Sequence, residues 1–344
     1  MTYLIAEIGQ NHNGSVDIAK LIIEGLSWPT EDQLFKNEFN KFDAVKLTKR
    51  DLSYELTKEQ MNRPYENPNS FGKTYGEHRE VLELSDEEHY EVYKYAKLKG
   101  FDFIETLCAP SCLTMLKYFT PDKLKVASRD LTNIPLLDSL AETKIPLIIS
   151  TGMGGIDEIE SALEVISRHH DDVSILHCVS EYPTNPLNWN LNSISYLRER
   201  YPNKVIGYSD HSIGISAPLA AVALGARIIE KHVTIDRRMK GTDQKGSLGI
   251  DGTQRMVRDI RQLEMGLGEK ETFISESVKS AKLKLERSLC TKTFLKKGEI
   301  LSEDNIIMLS PGNGIPYSGI TEIIGKRLNR DYQQHEQIQK SDCE

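Results

Sequence analysis

The sequence predicts an α/β protein, a (β/α)8 TIM barrel followed by a small, mostly β domain. Three observations carry that reading. Short apolar runs alternate with helical patterns, the mark of βα units and a parallel sheet. The strand-like runs number eight, the count at which such a sheet closes. After Arg287 the helical patterns stop and short β-like runs with frequent turn residues take over. A doubly wound open sheet would share the alternation; the count of eight favours closure.

The strands are read in order over Tyr3–Ile8, Ala44–Leu47, Phe101–Ile104, Leu124–Ala127, Leu147–Ile149, Val173–Leu176, Val205–Gly207 and Ala226–Ile229. Each is short and apolar, as strands covered on both faces are. Crossover helices are read over Ile18–Leu26, Asp86–Leu98, Ile134–Glu142, Ile156–Ser167, Leu191–Arg200, Ile215–Leu224 and Gly252–Gly266. Two connections break the rhythm. Ser27–Phe42 enlarges the first crossover. Arg50–Leu84, rich in Pro, Asn, Gly and Tyr, follows the second strand, where a barrel keeps its functional loops. Gly266-Leu-Gly closes the last helix, and Glu269–Lys284 reads as a charged helical linker. The expected division is a barrel over 1–268, a linker over 269–285 and a β domain over 286–344, which alone would bury little.

Composition narrows the function. At 344 residues with a net charge of −8 and no long Lys/Arg tract, the chain is a poor match for nucleic acid. An acidic protein still binds anionic metabolites through a few focused cations. No apolar run is long enough to cross a bilayer, and the chain opens on strand-like YLIAEIG without a basic-then-apolar leader, which predicts a cytoplasmic protein. Cys108, Cys112, Cys178, Cys290 and Cys343 are odd in number and complete no zinc-ribbon spacing, so free thiols are expected.

The chemistry gathers at the C-terminal ends of the strands, the mouth where such barrels act. Strand one ends at Glu7, strand two at Lys46, and strand three at Glu105 and Thr106. Strand four carries Lys125 and Ser128, and strand five ends in Ser150-Thr151-Gly152. Strand six gives His177, Ser180 and Tyr182; the last two give Ser209-Asp210-His211 and Glu230-Lys231-His232. Two neutral imidazoles, His211 and His232, could share one divalent metal and leave positions open for substrate. Lys46 and Lys125 with Ser150, Ser180 and Ser209 suit a phosphate or carboxylate cradle. Glu7 is placed to act as general acid or base. A metal, an anion cradle and a carboxylate suit carbon–carbon bond formation between a phosphorylated enol and an aldehyde. The plain alternatives are structural ion pairs for Glu7 and the lysines, and helix-capping hydroxyls. His12, His78 and His89 read as solvated or loop-packing residues.

The motifs AEIGQNHNG (6–14), RPYENPNSFGKTYGEH (63–78), KVAS (125–128), ISTGM (149–153), LHCVSEYPTNP (176–186), GYSDHSIGI (207–215), EKHVT (230–234) and PGNGI (311–315) resemble those of the N-acetylneuraminate (sialic acid) synthases, nearly end to end. The tail is similar to that family's antifreeze-like (SAF) domain. The resemblance implies condensation of phosphoenolpyruvate with an N-acylated aldose acceptor in a domain-swapped homodimer. It implies His211 and His232 as ligands of a divalent metal, manganese in the first place and magnesium or cobalt as alternatives. Lys46, Thr106, Lys125, Ser150, Ser180 and Ser209 would hold phosphoenolpyruvate, Asp130, Tyr182 and Asp243 would face the sugar, and Glu7 would lie beside the metal and reacting carbons. Gln244 stands where His is frequent in the family, and Ser310 where several bacterial members carry arginine. A 2,4-diacetamido, mannose-type or phosphorylated sugar is an alternative acceptor. Two other readings compete: a metal-free Schiff-base aldolase using Lys46, Lys125 or Lys231, and a non-catalytic module binding through its β domain.

Overall fold

The computed structural model describes residues 1–28, 30–31, 38–39, 41–268 and 275–344, and the chain divides into two units, Met1–Leu267 and Gly268–Glu344. In the first, all eight expected strands form: β1 (Tyr3–Gly9), β2 (Ala44–Lys49), β3 (Asp102–Leu107), β4 (Lys123–Val126), β5 (Leu147–Ser150), β6 (Val173–Cys178), β7 (Val205–Asp210) and β8 (Ile228–His232). They pair in parallel with their chain neighbours, and β1 pairs with both β2 and β8, which closes the barrel.

The interior is built in layers. Ile5, Ala44, Ile104, Ile148, Leu176 and Ile228 form an apolar plug, so the barrel is packed and not a pore. Two residues further along each strand the side chains return to the inner face. There the chain places Glu7, Lys46, Thr106, Ser150, Cys178 and Glu230 above the plug. Gly207, opposite Leu176, lies at the level of the plug, where a Cβ would stand 2.4 Å from the Ile228 carbonyl oxygen and 2.6 Å from the Leu176 side chain. The outward residues meet the helices in the main core, with Leu4, Val45, Phe103 and Ile149 fully buried.

Most of the expected strands run further than their apolar stretches suggest. β3, β6, β7 and β8 continue through ETL, HC, YSD and EKH because these polar residues still pair across the ladder: Thr106 with Lys125, Cys178 with Ser209, Lys231 with Asp210. The helices Asp86–Leu98, Ile134–Glu142 and Ile156–Ser167 have the expected bounds. Ser85 caps the first through a reciprocal box with Glu88, and Pro135 sits in the first turn of the second, where its missing N–H costs nothing. Between β3 and β4 the crossover is a 3₁₀ turn, Pro110–Lys117. In the Ser27–Phe42 insertion, Thr30–Glu31 pairs antiparallel with Glu38–Phe39; positions 29, 32–37 and 40 lie outside the described residues.

The Arg50–Leu84 connection carries three short helices, Leu52–Glu55, Lys58–Asn62 and Tyr75–Val81. Buried His78 organises it, with the rings of Tyr65 and Phe71 at 4.8 and 5.9 Å. Gly14 closes against this connection: its φ is +72°, and a Cβ would fall 2.1 Å from the Val81 carbonyl oxygen. The second unit has its own core around Leu289, Leu295, Ile323, Tyr332 and Ile338. Its strands β9 (Ser288–Thr291) and β10 (Ile306–Leu309) pair antiparallel. Of the expected helical linker, 269–274 lie outside the described residues and Lys279–Leu285 is α-helical. Among the described residues no helix is long and apolar enough to cross a membrane, and all five cysteines are free.

Candidate active site

The polar layer above the plug forms the floor of a cavity of about 420 Å³ at the C-terminal mouth. Four charges meet on that floor, all nearly fully buried. Lys46 contacts the Glu7 carboxylate, donates to Thr106 Oγ1 at 2.9 Å and lies 3.8 Å from Glu230 Oε1. Lys125 donates to Ser150 Oγ at 2.6 Å, and Ser209 donates to Glu230 Oε1 at 3.0 Å. Two ammonium groups and two carboxylates balance, but not evenly. Burial pushes the Glu7 carboxyl up to about 7; Lys46 opposes this and the Glu230 charge adds to it. Glu230 goes the other way, because Lys125 and Lys46, with the Ser209 hydroxyl, outweigh its own burial. One carboxyl able to hold a proton near neutral pH beside one that stays ionised is the division of labour that acid–base chemistry uses. The lysines also differ. Burial lowers Lys125, whereas Glu230 and Glu7 overcome burial and hold Lys46 above its ordinary value.

His211 and His232 stand on the wall, their ring centroids 5.5 Å apart, with Tyr182 over His211 at 4.0 Å. His211 Nδ1 lies 2.9 Å from the Val179 carbonyl oxygen; an acceptor there requires the proton on Nδ1 and leaves Nε2 its lone pair. His232 Nδ1 is buried without a hydrogen-bond partner, and burial holds this ring below its ordinary pKa. Two basic imidazole nitrogens beside carboxylates fit a divalent cation. Among the described residues no group of three or more His, Cys, Asp or Glu is disposed to hold a metal.

The cavity brings together Glu7, Lys46, Thr106, Lys125, Ser150, Ser180, Ser209, Tyr182, His211, His232 and Asp243. Asp130 stands apart: it meets Arg129 Nε at 3.3 Å and Asn133 at 3.4 Å and lines an adjoining cavity. Strand alternation sorts the other strand-end residues. Glu105 points outward to His89 Nδ1 at 2.7 Å, both fully buried, and His177 reaches the Trp189 carbonyl at 2.8 Å. Lys231 and Asp210 form a sealed pair outside the cavity. Asp210 also accepts from Tyr208 Oη at 3.0 Å and from Ser212 N and Oγ at 2.9 and 3.1 Å, while Lys231 holds the Ser212 carbonyl. All polar atoms of the residue after His211 are thus fixed from behind.

None of His12, His78 and His89 is solvated: His12 and His78 are buried by packing in their connections, the second of the two expected readings, whereas His89 is buried on the helix Asp86–Leu98 against Glu105. Gln244 ties the segment after β1 to the one after β8, donating to the Asn11 carbonyl at 3.1 Å and accepting from the Thr234 hydroxyl. Ser310 donates to the Leu285 carbonyl inside the second unit. Sequence reasoning gave no role to Glu230, although its place beside His232 at a strand end marked it. It missed Arg50, Arg79 and Arg129, which reach the cavity from connections beyond the strands, as well as Cys178. Gly152 carries a usable signal, since a Cβ there would collide with the Ser180 and Ser128 hydroxyls at 2.5 and 2.8 Å.

Residues 38–272 match the NeuB family, and residues 286–344 match the SAF domain. The chain is 32% identical to the N-acetylneuraminate-9-phosphate synthase of Homo sapiens, over 95% of this chain and 88% of that one. It is 33% identical to the N,N'-diacetyllegionaminic acid synthase of Legionella pneumophila, over 95% and 90%. The crystal structure of an N-acetylneuraminic acid synthetase from Leptospira borgpetersenii, in complex with citrate, superposes with a TM-score of 0.68 at 29% identity, covering 81% of this chain and 90% of that one. A closed barrel, a polar floor at its mouth and a matching C-terminal domain agree with the family match along the chain: this protein is an enzyme and belongs to the NeuB family.

Proposed function

We propose that the enzyme condenses phosphoenolpyruvate with an N-acylated aldose of the N-acetylmannosamine type to give a nonulosonic acid and inorganic phosphate. The observation that carries this reading is the floor, where Lys46 and Lys125 stand among Thr106, Ser150 and Ser209 beside a carboxyl raised by burial. The lysines and hydroxyls bind the phosphate and carboxylate of phosphoenolpyruvate as point charges and donors, with Ser180 at the rim. Tyr182 and Asp243 orient the sugar so that its aldehyde carbon meets C3 of the enol. That bond forms as the C2–C3 double bond opens, and Glu7 delivers its proton to the aldehyde oxygen. Glu7, now a carboxylate, takes a proton from the water that adds at C2. The C2–O bond to phosphate then breaks, the new C2 hydroxyl gives its proton to the departing phosphate, and a keto group remains. Atoms balance as enol phosphate, aldose and water in, keto acid and phosphate out.

His211 and His232 would hold the divalent cation, manganese in the first place, which as a Lewis acid polarises the aldehyde when bound. Lys231 is excluded from a Schiff-base route by its sealed pair with Asp210, and Lys46 is held charged by Glu7 and Glu230. Lys125, which burial makes less basic, is that reading's remaining candidate. Mass spectrometry of the reaction with phosphoenolpyruvate and N-acetylmannosamine or its 6-phosphate tests the proposal. A product with the mass of both substrates plus water less phosphoric acid supports it; a borohydride-trapped adduct of a keto substrate such as pyruvate on Lys125, without that product from phosphoenolpyruvate, would replace it with the aldolase.

A further inference from the structure

The floor of the mouth does not by itself draw an anion in from solution, because its two ammonium groups face two carboxylates. The chain as a whole repels one, with a net charge of −8. The cations free to act lie higher, on the segment that leaves β8. Over 236–246 the chain reads DRRMKGTDQKG, four cations against two carboxylates. Thr242 and Asp243 of this segment line the cavity, which places the segment at its entrance. One carboxylate is occupied locally, since Asp236 pairs with Arg238 at 2.6 Å. Arg237, Lys240 and Lys245 are exposed and make no ion pair among the described residues. The segment is tied down at several points. Arg237 Nε donates to the Lys245 carbonyl at 3.1 Å, and Asn13 Nδ2 donates to the Lys240 carbonyl at 2.9 Å. The Lys240 ammonium stands 4.8 Å from the ring centroid of Phe71, in the Arg50–Leu84 connection. The same sign continues inward at Arg79, which lines the cavity and is held by neutral groups, donating to Tyr75 Oη at 3.0 Å and to Gln10 Oε1 at 2.7 Å. Arg50 and Arg129 line it too, but each is paired with Glu55 at 3.0 Å.

We propose that this rim is an electrostatic collar that gathers phosphoenolpyruvate. Lys240 and Lys245, with Arg237, raise the potential at the entrance of an otherwise acidic protein, and Arg79 carries it toward the floor. Like charges fixed around a cavity walled by protein focus their field into it, so a small polyanion is concentrated there before it meets Lys46 and Lys125. The proposal rests on the condensation reading, which supplies the anionic substrate, and adds how that substrate arrives. A merely solvated charged face and a collar differ in their response to salt. At an ionic strength of about 0.01 M the Debye length is about 30 Å and the field spans the mouth; at about 0.3 M it shrinks below about 8 Å.

The test compares the full chain as wild type, as Lys240→Gln with Lys245→Gln, and as Lys240→Arg with Lys245→Arg. Affinity for phosphoenolpyruvate is measured by calorimetry on metal-stripped protein, so that only the chain's own charges act. Phosphate release with manganese and an aldose acceptor gives kcat and kcat/KM for phosphoenolpyruvate, and both measurements run from about 0.01 to 0.3 M salt. Wild-type affinity should fall by roughly tenfold over that range. The glutamine pair should bind roughly three- to tenfold more weakly at low salt, with kcat unchanged, and should meet the wild type at high salt. The arginine pair should follow the wild type throughout. Equal affinity of the wild type and the glutamine pair at low salt would overturn the proposal. So would an offset that persists undiminished at high salt, which marks a lost contact or a folding defect, and so would failure of the wild type to bind phosphoenolpyruvate. A salt-dependent difference in affinity without any phosphate release would uphold the collar while sinking the condensation reading.

Discussion

Glu105 and Thr106 are adjacent and both polar, yet they do unrelated work. The two-residue period of a strand turns Thr106 to Lys46 in the cavity and Glu105 to His89 behind it. The same rule separates Glu230 from Lys231 and Ser209 from Asp210. At this scale Glu7 is the group on which the proposed chemistry turns. Glu7→Gln keeps the side-chain volume and removes the titrating proton, so phosphate release should fall by roughly 10²- to 10⁴-fold while calorimetric affinity for phosphoenolpyruvate changes little. Loss of that affinity in proportion to rate would instead make Glu7 a partner that holds Lys46 in place. The buried histidines predict the acid sensitivity of the fold. Burial, with the nearby His89, holds His12 at about 3 against an ordinary value of 6.5. Between these values the unfolded chain binds a proton that the native state refuses, so stability is full above pH 6.5 and is lost as pH falls toward 3. The contribution is at most about 1.4 kcal/mol per pH unit in that window. Urea midpoints measured at pH 7 and pH 5 should differ less in His12→Asn than in the wild type. Equal differences would place the acid sensitivity elsewhere.

At the scale of elements, the eight strands and the helices were legible because burial on both faces writes itself as short apolar runs and the helices as amphipathic ones. The polar strand ends were not, since ETL and EKH carry no apolar signal and belong to strands only through their cross-strand partners. Arg79 was illegible for a related reason: its position depends on the packing of a long connection around His78, which no local pattern records. The Lys231–Asp210 pair shows what such hidden contacts do. It joins β7 to β8 between the two histidines, and its members are fully buried. Removing one charge strands the other in a place without water, so Lys231→Met and Asp210→Asn should each cost about 3–5 kcal/mol in chemical unfolding. They should also weaken manganese binding by roughly 10- to 100-fold, because the backbone after His211 loses its clamp. Stability loss with undiminished manganese affinity would confine the pair to a structural role.

At the scale of the molecule, the barrel, the mouth site and the C-terminal domain could all be anticipated from motif order along the chain. Their chemistry could not be ranked there, because the unequal fates of Glu7 and Glu230 arise only when four buried charges share one floor. The two units each have an apolar core, and a swapped homodimer through the SAF domain is a proposal that light scattering checks directly. The central claim is that this floor and the two histidines join an enol phosphate to an aldehyde. The measurement that tests it most directly is phosphate release from phosphoenolpyruvate by metal-stripped protein, with and without an aldose acceptor and with and without manganese. The account predicts release only when sugar and metal are both present, with phosphate and keto acid formed in equal amounts. Undiminished release after complete metal removal, or release that ignores the sugar, would contradict it.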